Sequence, residues 1–172
     1  MDSEPTELSS RLGKLFSDRG WTLATAESCT GGLLAGAITA TPGSSAWFER
    51  GFVTYSNESK VELLGVNPTT LARHGAVSEE AAREMAEGAL AHSYADVAIA
   101  ITGIAGPDGG SAAKPVGTVW LAWRLRQESD TFTEVRCFPG DRETVRSCAV
   151  ALALEHLANL AEKGGDAERR LC

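Results

Sequence analysis

The stretch WTLATAESCTGGLLAGAITA, residues 21–40, decides the fold because it combines a strand, a sharp turn and a helix. Residues 21–26 alternate apolar and small polar side chains, as a short strand does, and residues 31–40 predict a helix rich in small residues. The adjacent Gly31 and Gly32 favour a tight turn between them. A strand that passes through such a turn into a helix is typical of layered α/β proteins.

The segments on either side continue the alternation of helices and strands. The pattern predicts further helices over residues 6–19, 57–64, 68–73, 78–92 and 141–162, and further strands over 52–55, 95–101, 116–125 and 131–138. The last two strands follow each other across a polar turn, which makes the sheet mixed because a short connection joins antiparallel strands. We therefore predict an α/β fold, a single-domain layered α/β/α sandwich with a mixed sheet over residues 1–162. Residues 163–172 are expected to form a polar, mobile tail.

The composition excludes several classes of protein. A chain of 172 residues with 43% hydrophobic residues is long enough to bury one core. Its net charge of −7 comes from scattered acids, and no run of basic residues indicates a nucleic-acid partner. The acidic N-terminus does not resemble a secretory signal, and no segment approaches the ~20 apolar residues of a membrane span. We expect a cytoplasmic protein that binds neither nucleic acid nor membrane.

The cysteines and histidines predict neither a disulfide framework nor a metal site. The four cysteines are widely spaced, and a chain of this size does not need disulfides for stability. The three histidines lie far apart and form no pair with metal-ligand spacing. Each histidine is expected to be a surface or packing residue.

The turn at residues 25–32 contains two candidate nucleophiles, Ser28 and Cys29. Two interpretations stay open for Ser28. It caps the following helix, as serines commonly do, or it attacks a substrate whose oxyanion is held by N–H groups at the helix start. Neighbours in a sharp turn point in different directions, so both cannot face one pocket, and Cys29 is expected to be a buried structural residue.

A serine nucleophile needs a base, and Lys60 is the candidate in this chain. Lysine serves as a base when burial lowers its pKa toward neutrality. Lys60 lies one turn into a predicted helix, and Tyr55, five residues earlier, is placed to donate to it or to the oxyanion. The alternative is a solvated surface lysine.

Glycine-rich segments and one arginine are candidates for holding an anion. Backbone N–H groups of Thr30, Gly31 and Gly32, and of the loop 102–110, suit a phosphate, although neither segment matches a nucleotide-binding motif. Arg142 either grips a phosphate with its planar fork or pairs with a neighbouring acid on the surface.

Five ordered motifs resemble the CinA C-terminal domain family, and within it the stand-alone PncC-type amidohydrolases of nicotinamide nucleotides. They are AESCTGG at 26–32, PGSSAWF at 42–48, GFVTYSN at 51–57, GAVS at 75–78, and TGIAGPDGG at 102–110 followed by KPVGTV at 114–119. The resemblance covers residues 6–160.

The resemblance implies hydrolysis of the carboxamide of nicotinamide mononucleotide to nicotinate mononucleotide and ammonia, without metal or organic cofactor. It also implies a salvage step in pyridine-nucleotide metabolism. Carried onto this chain, it implies Ser28 as nucleophile and Lys60 as general base. Tyr55 and Ser45 would assist at the reacting centre, while substrate-binding or supporting residues would be Thr30, Gly31, Gly32, Thr102, Gly103 and Arg142.

The alternative function is a regulatory or interaction module without catalytic activity. Many family members carry a larger N-terminal domain, and activities of that domain are not transferred to this chain. The apolar last helix and the small-residue helix at 31–40 leave surfaces that suit a homo-oligomer, with a dimer favoured.

Overall fold

The computed structural model describes residues 3–169, with side chains over 4–164. The helices are α1 (Ser3–Arg19), α2 (Leu33–Thr39), α3 (Asn57–Leu64), α4 (Pro68–His74), α5 (Glu79–Ala91) and α6 (Arg142–Arg169). The strands are β1 (Leu23–Glu27), β2 (Phe48–Val53), β3 (Val97–Gly103), β4 (Thr118–Leu125) and β5 (Phe132–Cys137). A short 3₁₀ turn, Ser44–Ala46, precedes β2.

The five strands form one mixed sheet in the order β2-β1-β3-β4-β5. β1 pairs in parallel with β2 and β3, whereas β4 pairs antiparallel with β3 and β5. The predicted hairpin at the end of the sheet is therefore confirmed. The carboxyl ends of β1, β2 and β3 meet at one edge, as expected for ligand-binding loops in such folds.

Helices cover both faces of the sheet, which confirms the α/β/α sandwich. β3 is buried on both sides: Val97, Ile99 and Ile101 join a core with α1, α2 and α6, whereas Ala98 and Ala100 join a second core with α3 and α5. The continuous apolar run of β3 reflects this double burial, because a strand between two helical layers has no solvent-facing side.

The bounds of β2 and α3 differ from the sequence-based expectations. β2 starts at Phe48, since its parallel pairing with β1 begins at Leu23, and it ends before Tyr55. Ser56, not Asn57, caps α3, with its hydroxyl accepting from Ser59 N at 3.1 Å.

The last helix is longer than predicted. α6 begins after Asp141, whose carboxylate accepts from Thr144 N at 2.9 Å as a helix cap, and it continues to Arg169. The expected polar tail over 163–172 thus lies partly within this helix, and its last residues, 170–172, lie outside the described residues. The mobility of the tail stays a prediction.

Candidate active site

Ser28 and Lys60, which are 32 residues apart in sequence, meet at the carboxyl end of β1. Lys60 Nζ lies 2.9 Å from Ser28 Oγ and donates to the Thr54 carbonyl oxygen at 2.7 Å. Ser28 is 8 % exposed and Lys60 is 1 % exposed. The solvated surface position considered for Lys60 is therefore wrong, and the side chain lies beneath the surface with its amine at the serine hydroxyl.

Local structure explains why Lys60 points at the turn. The Ser56 cap starts α3 directly after β2, so Lys60 occupies the first turn and its side chain leans back toward the helix start. The C-terminal Gly65 ends the helix in a left-handed conformation, and Leu64 packs into the core shared with α5. These contacts hold α3 over the end of β1.

Burial makes Lys60 a better base than an ordinary lysine. Desolvation lowers the pKa of Lys60, and the neighbouring Cys29 opposes this with a smaller effect in the other direction. No salt bridge to a carboxylate compensates for the lost hydration among residues 4–164. The neutral amine is favoured because the cost of burial falls on the charged form.

Cys29 faces the opposite layer from Ser28. Its side chain is buried in the core cluster that also contains Val145 and Ala149 of α6. Desolvation raises the pKa of Cys29 to about 11, so the thiol stays protonated at neutral pH. The expectation of a buried cysteine is confirmed, and a protonated thiol is a weak nucleophile.

Neither Ser28 nor Thr30 caps α2, so the helix-cap interpretation of Ser28 is wrong. Gly32 occupies the cap position without a side-chain bond. The buried carboxylate of Glu27 takes over this function, accepting from Leu34 N at 2.9 Å and Ala35 N at 3.1 Å. The serine hydroxyl is thereby left free for Lys60.

The two glycines shape the turn. Gly31 and Gly32 have φ values of 56° and 102°, a left-handed conformation that glycine adopts without a steric penalty. Gly31 N donates to Ser28 O at 3.0 Å, which closes the turn. Within the described part of the chain, no backbone carbonyl accepts a hydrogen bond from the N–H of Cys29 or of Thr30.

Two further predicted site residues, Arg142 and Tyr55, bond to each other. Arg142 donates to Tyr55 Oη and to Gly106 O, both at 2.8 Å, which ties α6 to the loops after β2 and β3. Tyr55 is thus held by Arg142 and not by Lys60. Among the described side chains Arg142 forms no ion pair with a neighbouring acid. That it holds a phosphate stays a prediction.

Thr102 and Gly103 support the edge of the sheet. Thr102 is fully buried and its hydroxyl donates to Ala76 O at 2.8 Å, which attaches the end of β3 to the segment before α5. A Cβ at Gly103 would lie 2.8 Å from Thr118 O, so a side chain there would collide with β4. Thr30 is fully buried and its hydroxyl has no partner in the described residues.

Ser45 does not join the other predicted residues within one chain. It lies in the 3₁₀ turn before β2, and Phe48 at the start of β2 pairs with Leu23 at the start of β1. Ser28 follows the other end of β1, and a strand of this length spans about 16 Å. Ser45 therefore lies at the amino edge of the sheet, away from the Ser28–Lys60 pair.

Sequence reasoning missed Glu27 and Arg146. Arg146 Nε donates to Cys29 O at 3.1 Å and one Nη to Thr30 O at 3.2 Å, from α6 across to the turn. A single acid at the end of a strand of apolar and small residues signals Glu27, and the four-residue spacing from Arg142 signals Arg146 on the same side of its helix.

The described residues offer no metal site or membrane segment. Within the searched part of the chain, no three His, Cys, Asp or Glu residues cluster as metal ligands. None of the helices in that part is long and apolar enough to span a membrane. Cys29, Cys137 and Cys148 carry free thiols, and Cys172 lies outside the described residues.

Comparison with known proteins gives consistent matches over nearly the whole chain. The profile of the CinA C-terminal domain matches residues 5–161. Nicotinamide-nucleotide amidohydrolase PncC of Escherichia coli strain K12 is 56% identical over 156 residues, covering 91% of this chain and 94% of that protein. A CinA-like protein of Akkermansia muciniphila is 54% identical over 140 residues, which are 81% of this chain but 34% of that protein.

The fold matches as well. The crystal structure of competence/damage inducible protein CihA from Agrobacterium tumefaciens superposes with a TM-score of 0.90 at 47% sequence identity, covering 93% of this chain and 97% of that chain.

Proposed function

Since the chain belongs to the CinA C-terminal domain family, we propose that it hydrolyses the carboxamide of nicotinamide mononucleotide, with Ser28 as nucleophile and Lys60 as general base. The products are nicotinate mononucleotide and ammonia. The name of the Escherichia coli relative supports the substrate. The observation that carries the mechanism is the 2.9 Å approach of Lys60 Nζ to Ser28 Oγ in a buried setting.

The first half of the reaction forms an acyl-enzyme. Neutral Lys60 keeps one N–H on Thr54 O and turns its lone pair to the Ser28 hydroxyl, whose proton it takes as Ser28 Oγ attacks the amide carbon. The carbonyl oxygen becomes an oxyanion. The resulting Lys60 ammonium then returns the proton to the amide nitrogen, so that ammonia leaves as the C–N bond breaks.

The second half releases the carboxylate. A water molecule attacks the Ser28 ester, Lys60 takes its proton, and the proton passes to Ser28 Oγ as the ester bond breaks. A buried lysine suits both directions of proton transfer because its lowered pKa brings the neutral and charged forms closer in free energy at neutral pH. The N–H groups of Cys29 and Thr30 stabilise the oxyanion in both halves.

The nucleotide part of the substrate lies over the loops that Arg142 joins. The guanidinium reaches the glycine-rich loop after β3 through Gly106 and the loop after β2 through Tyr55. A phosphate needs such local positive charge because the chain as a whole is acidic. In the proposed complex Tyr55 and Arg142 border the substrate, and Thr102 holds the edge beneath it.

The cellular setting follows from the same reaction. We assign amide hydrolysis of a nicotinamide nucleotide to a salvage step in the cytoplasm. A homodimer is proposed from the apolar surface around the site, where Leu33, Val53 and Tyr55 are exposed.

The proposed function is tested by ammonia release from nicotinamide mononucleotide. We expect Ser28→Ala to lose at least about 1,000-fold in kcat while keeping the wild-type melting temperature within a few degrees. Ser9→Ala, the same change at a buried serine that bonds to Ile38 and Thr41 at the C-terminal end of α2, serves as control and should keep full turnover. A regulatory or interaction module would instead show no ammonia release by the folded wild type and would tolerate Ser28→Ala.

A further inference from the structure

Arg146 bonds to the turn at the two carbonyls on either side of Thr30 N–H. It extends from α6 and donates from Nε to Cys29 O at 3.1 Å and from Nη to Thr30 O at 3.2 Å. No carboxylate accepts from this guanidinium within the side chains that the structure describes. The guanidinium of Arg146 therefore bonds only to backbone carbonyls of the turn among the described residues.

These bonds determine where the N–H groups point. In a trans peptide the carbonyl and the N–H of the same unit point in opposite directions. Because Cys29 O points toward α6, Thr30 N–H points away from α6. Likewise, Thr30 O points toward α6, and Gly31 N–H points away and donates to Ser28 O at 3.0 Å.

The Ser28–Lys60 pair lies on the side of the sheet away from the packed face of α6. α6 packs on the face of the sheet whose core includes Cys29, whereas α3 packs on the other face and its Lys60 contacts the Ser28 hydroxyl. Thr30 N–H is thus turned toward the layer where the oxyanion forms. A free N–H is a donor only for what lies in front of it, so its direction decides whether it stabilises the transition state.

We infer that Arg146 is a positioning residue that orients the Cys29–Thr30 peptide so that Thr30 N–H serves as an oxyanion donor. It touches neither the reacting atoms nor Lys60, and it acts through the backbone. Arginine suits this position because its planar fork binds two neighbouring carbonyl oxygens at once, which the single ammonium of lysine does less well. This inference rests on the proposed serine mechanism. It adds the residue that orients the oxyanion donor, Thr30 N–H.

The first test separates binding from chemistry. We expect Arg146→Ala to lower kcat for nicotinamide mononucleotide by about 10- to 100-fold and to leave KM within about threefold, since the donor acts in the transition state. Arg146→Lys should recover part of this loss. Guanidinium chloride at tens of millimolar should rescue Arg146→Ala and leave the control Arg11→Ala, an exposed ion-pair residue, unchanged.

A second readout does not depend on the natural substrate. A small alkyl fluorophosphonate phosphonylates an activated serine with loss of fluoride and also places an oxygen in the oxyanion site. The rate of Ser28 labelling should fall in Arg146→Ala by a factor similar to kcat and rise again with guanidinium. Melting temperatures of all variants show how much protein is folded at the assay temperature.

The outcomes distinguish the inference from the proposed function. Labelling and kcat in folded Arg146→Ala within twofold of wild type, or a change in KM alone, would overturn the role of Arg146. A wild type that labels at Ser28 but releases no ammonia would overturn the proposed substrate, and the labelling ratio would still decide the role of Arg146. A wild type inert in both assays would overturn both.

Discussion

Lys60 is the residue in which burial has the greatest chemical consequence. Its aliphatic stem and amine are enclosed by α3 and the end of β1, and its two polar contacts are the Ser28 hydroxyl and the Thr54 carbonyl. Both contacts are neutral, so neither repays the desolvation of an ammonium ion. The lowered pKa of Lys60 therefore arises mainly from burial.

The pH dependence of activity should follow Lys60. We expect kcat/KM to rise with pH until Lys60 is deprotonated, with an apparent pKa below 10.5 in the free protein. Lys60→Arg should be inactive at every pH because a guanidinium does not lose its proton. Lys14→Arg on α1 is the control for the same exchange on the surface. A kcat/KM that is flat with pH, or an active Lys60→Arg, would exclude Lys60 as the base.

The same pKa shift makes a prediction for stability. Between the lowered pKa of Lys60 and 10.5, the unfolded chain binds a proton at this residue that the folded chain does not. The free energy of unfolding of the wild type, relative to Lys60→Met, should therefore rise with pH across that window and level off above it. Urea unfolding at several pH values measures this difference.

Cys29 is predicted to be dispensable for chemistry. With a pKa of about 11, its thiol is protonated at neutral pH, and it faces the core with α6. We expect Cys29→Ala to keep at least about a third of wild-type kcat and to lose about 1 kcal/mol of stability from the small cavity. Iodoacetamide should modify the exposed Cys137 before the buried Cys29, which mass spectrometry detects. Loss of activity in Cys29→Ala with survival in Ser28→Ala would transfer the nucleophile to the thiol.

At the scale of elements, the turn between β1 and α2 is held by opposite charges on its two sides. The carboxylate of Glu27 binds the first N–H groups of α2, and the guanidinium of Arg146 binds carbonyls of the turn. Negative charge at a helix start is favourable, and here the carboxylate is buried and each of its oxygens accepts one backbone hydrogen bond. The nucleophile is thus held by its backbone, while its side chain stays free.

Glu27 is predicted to stabilise α2 more than an exposed acid in a first helical turn does. Glu27→Ala should lower the free energy of unfolding by about 2–3 kcal/mol, because Leu34 N and Ala35 N lose a charged acceptor inside the protein. Glu27→Gln, which keeps one carbonyl oxygen, should cost less. Glu58→Ala in the exposed first turn of α3 is the control and should change stability by at most about 0.5 kcal/mol. Urea unfolding gives the values, and equal costs at both positions would contradict the role of Glu27.

At the scale of the whole molecule, the sheet topology gathers three loops over the site. The parallel arrangement of β1, β2 and β3 sends their carboxyl ends to one edge, and Arg142 and Thr102 tie the loops together there. The same topology sends Ser45 to the other edge. A catalytic contribution from Ser45 is compatible with this fold when Ser45 belongs to a second copy of the chain.

That arrangement makes a prediction about mixtures of variants. If Ser45 assists from a second copy in a dimer, Ser28→Ala and Ser45→Ala homodimers should both be deficient in ammonia release. Unfolding and refolding them together at equal concentration should restore about a quarter of wild-type activity, because half the dimers are mixed and each has one intact site. Sedimentation equilibrium checks the dimer. Full activity of Ser45→Ala, or no recovery on mixing, would exclude this role for Ser45.

Much of the fold could be predicted because its signals are local. The alternation of periodic helices with short strands, the apolar run of β3 and the hairpin of β4 and β5 each appear within a few neighbouring residues. The predicted boundaries were wrong where pairing between distant segments decides them. The start of β2, for example, is set by its pairing with β1. The family could be identified in the same way, from ordered short motifs.

The candidate site was predictable in its residue types and less so in its contacts. The sequence by itself determined that a serine stands at a sharp turn before a helix and that a lysine follows the next strand. Only the tertiary structure decided that Lys60 is buried against Ser28, that Glu27 and Arg146 hold the turn, and that Ser45 lies at the far edge. The physical reason is that burial and hydrogen-bond partners depend on residues far apart in sequence, whereas helix, strand and turn preferences depend on neighbours.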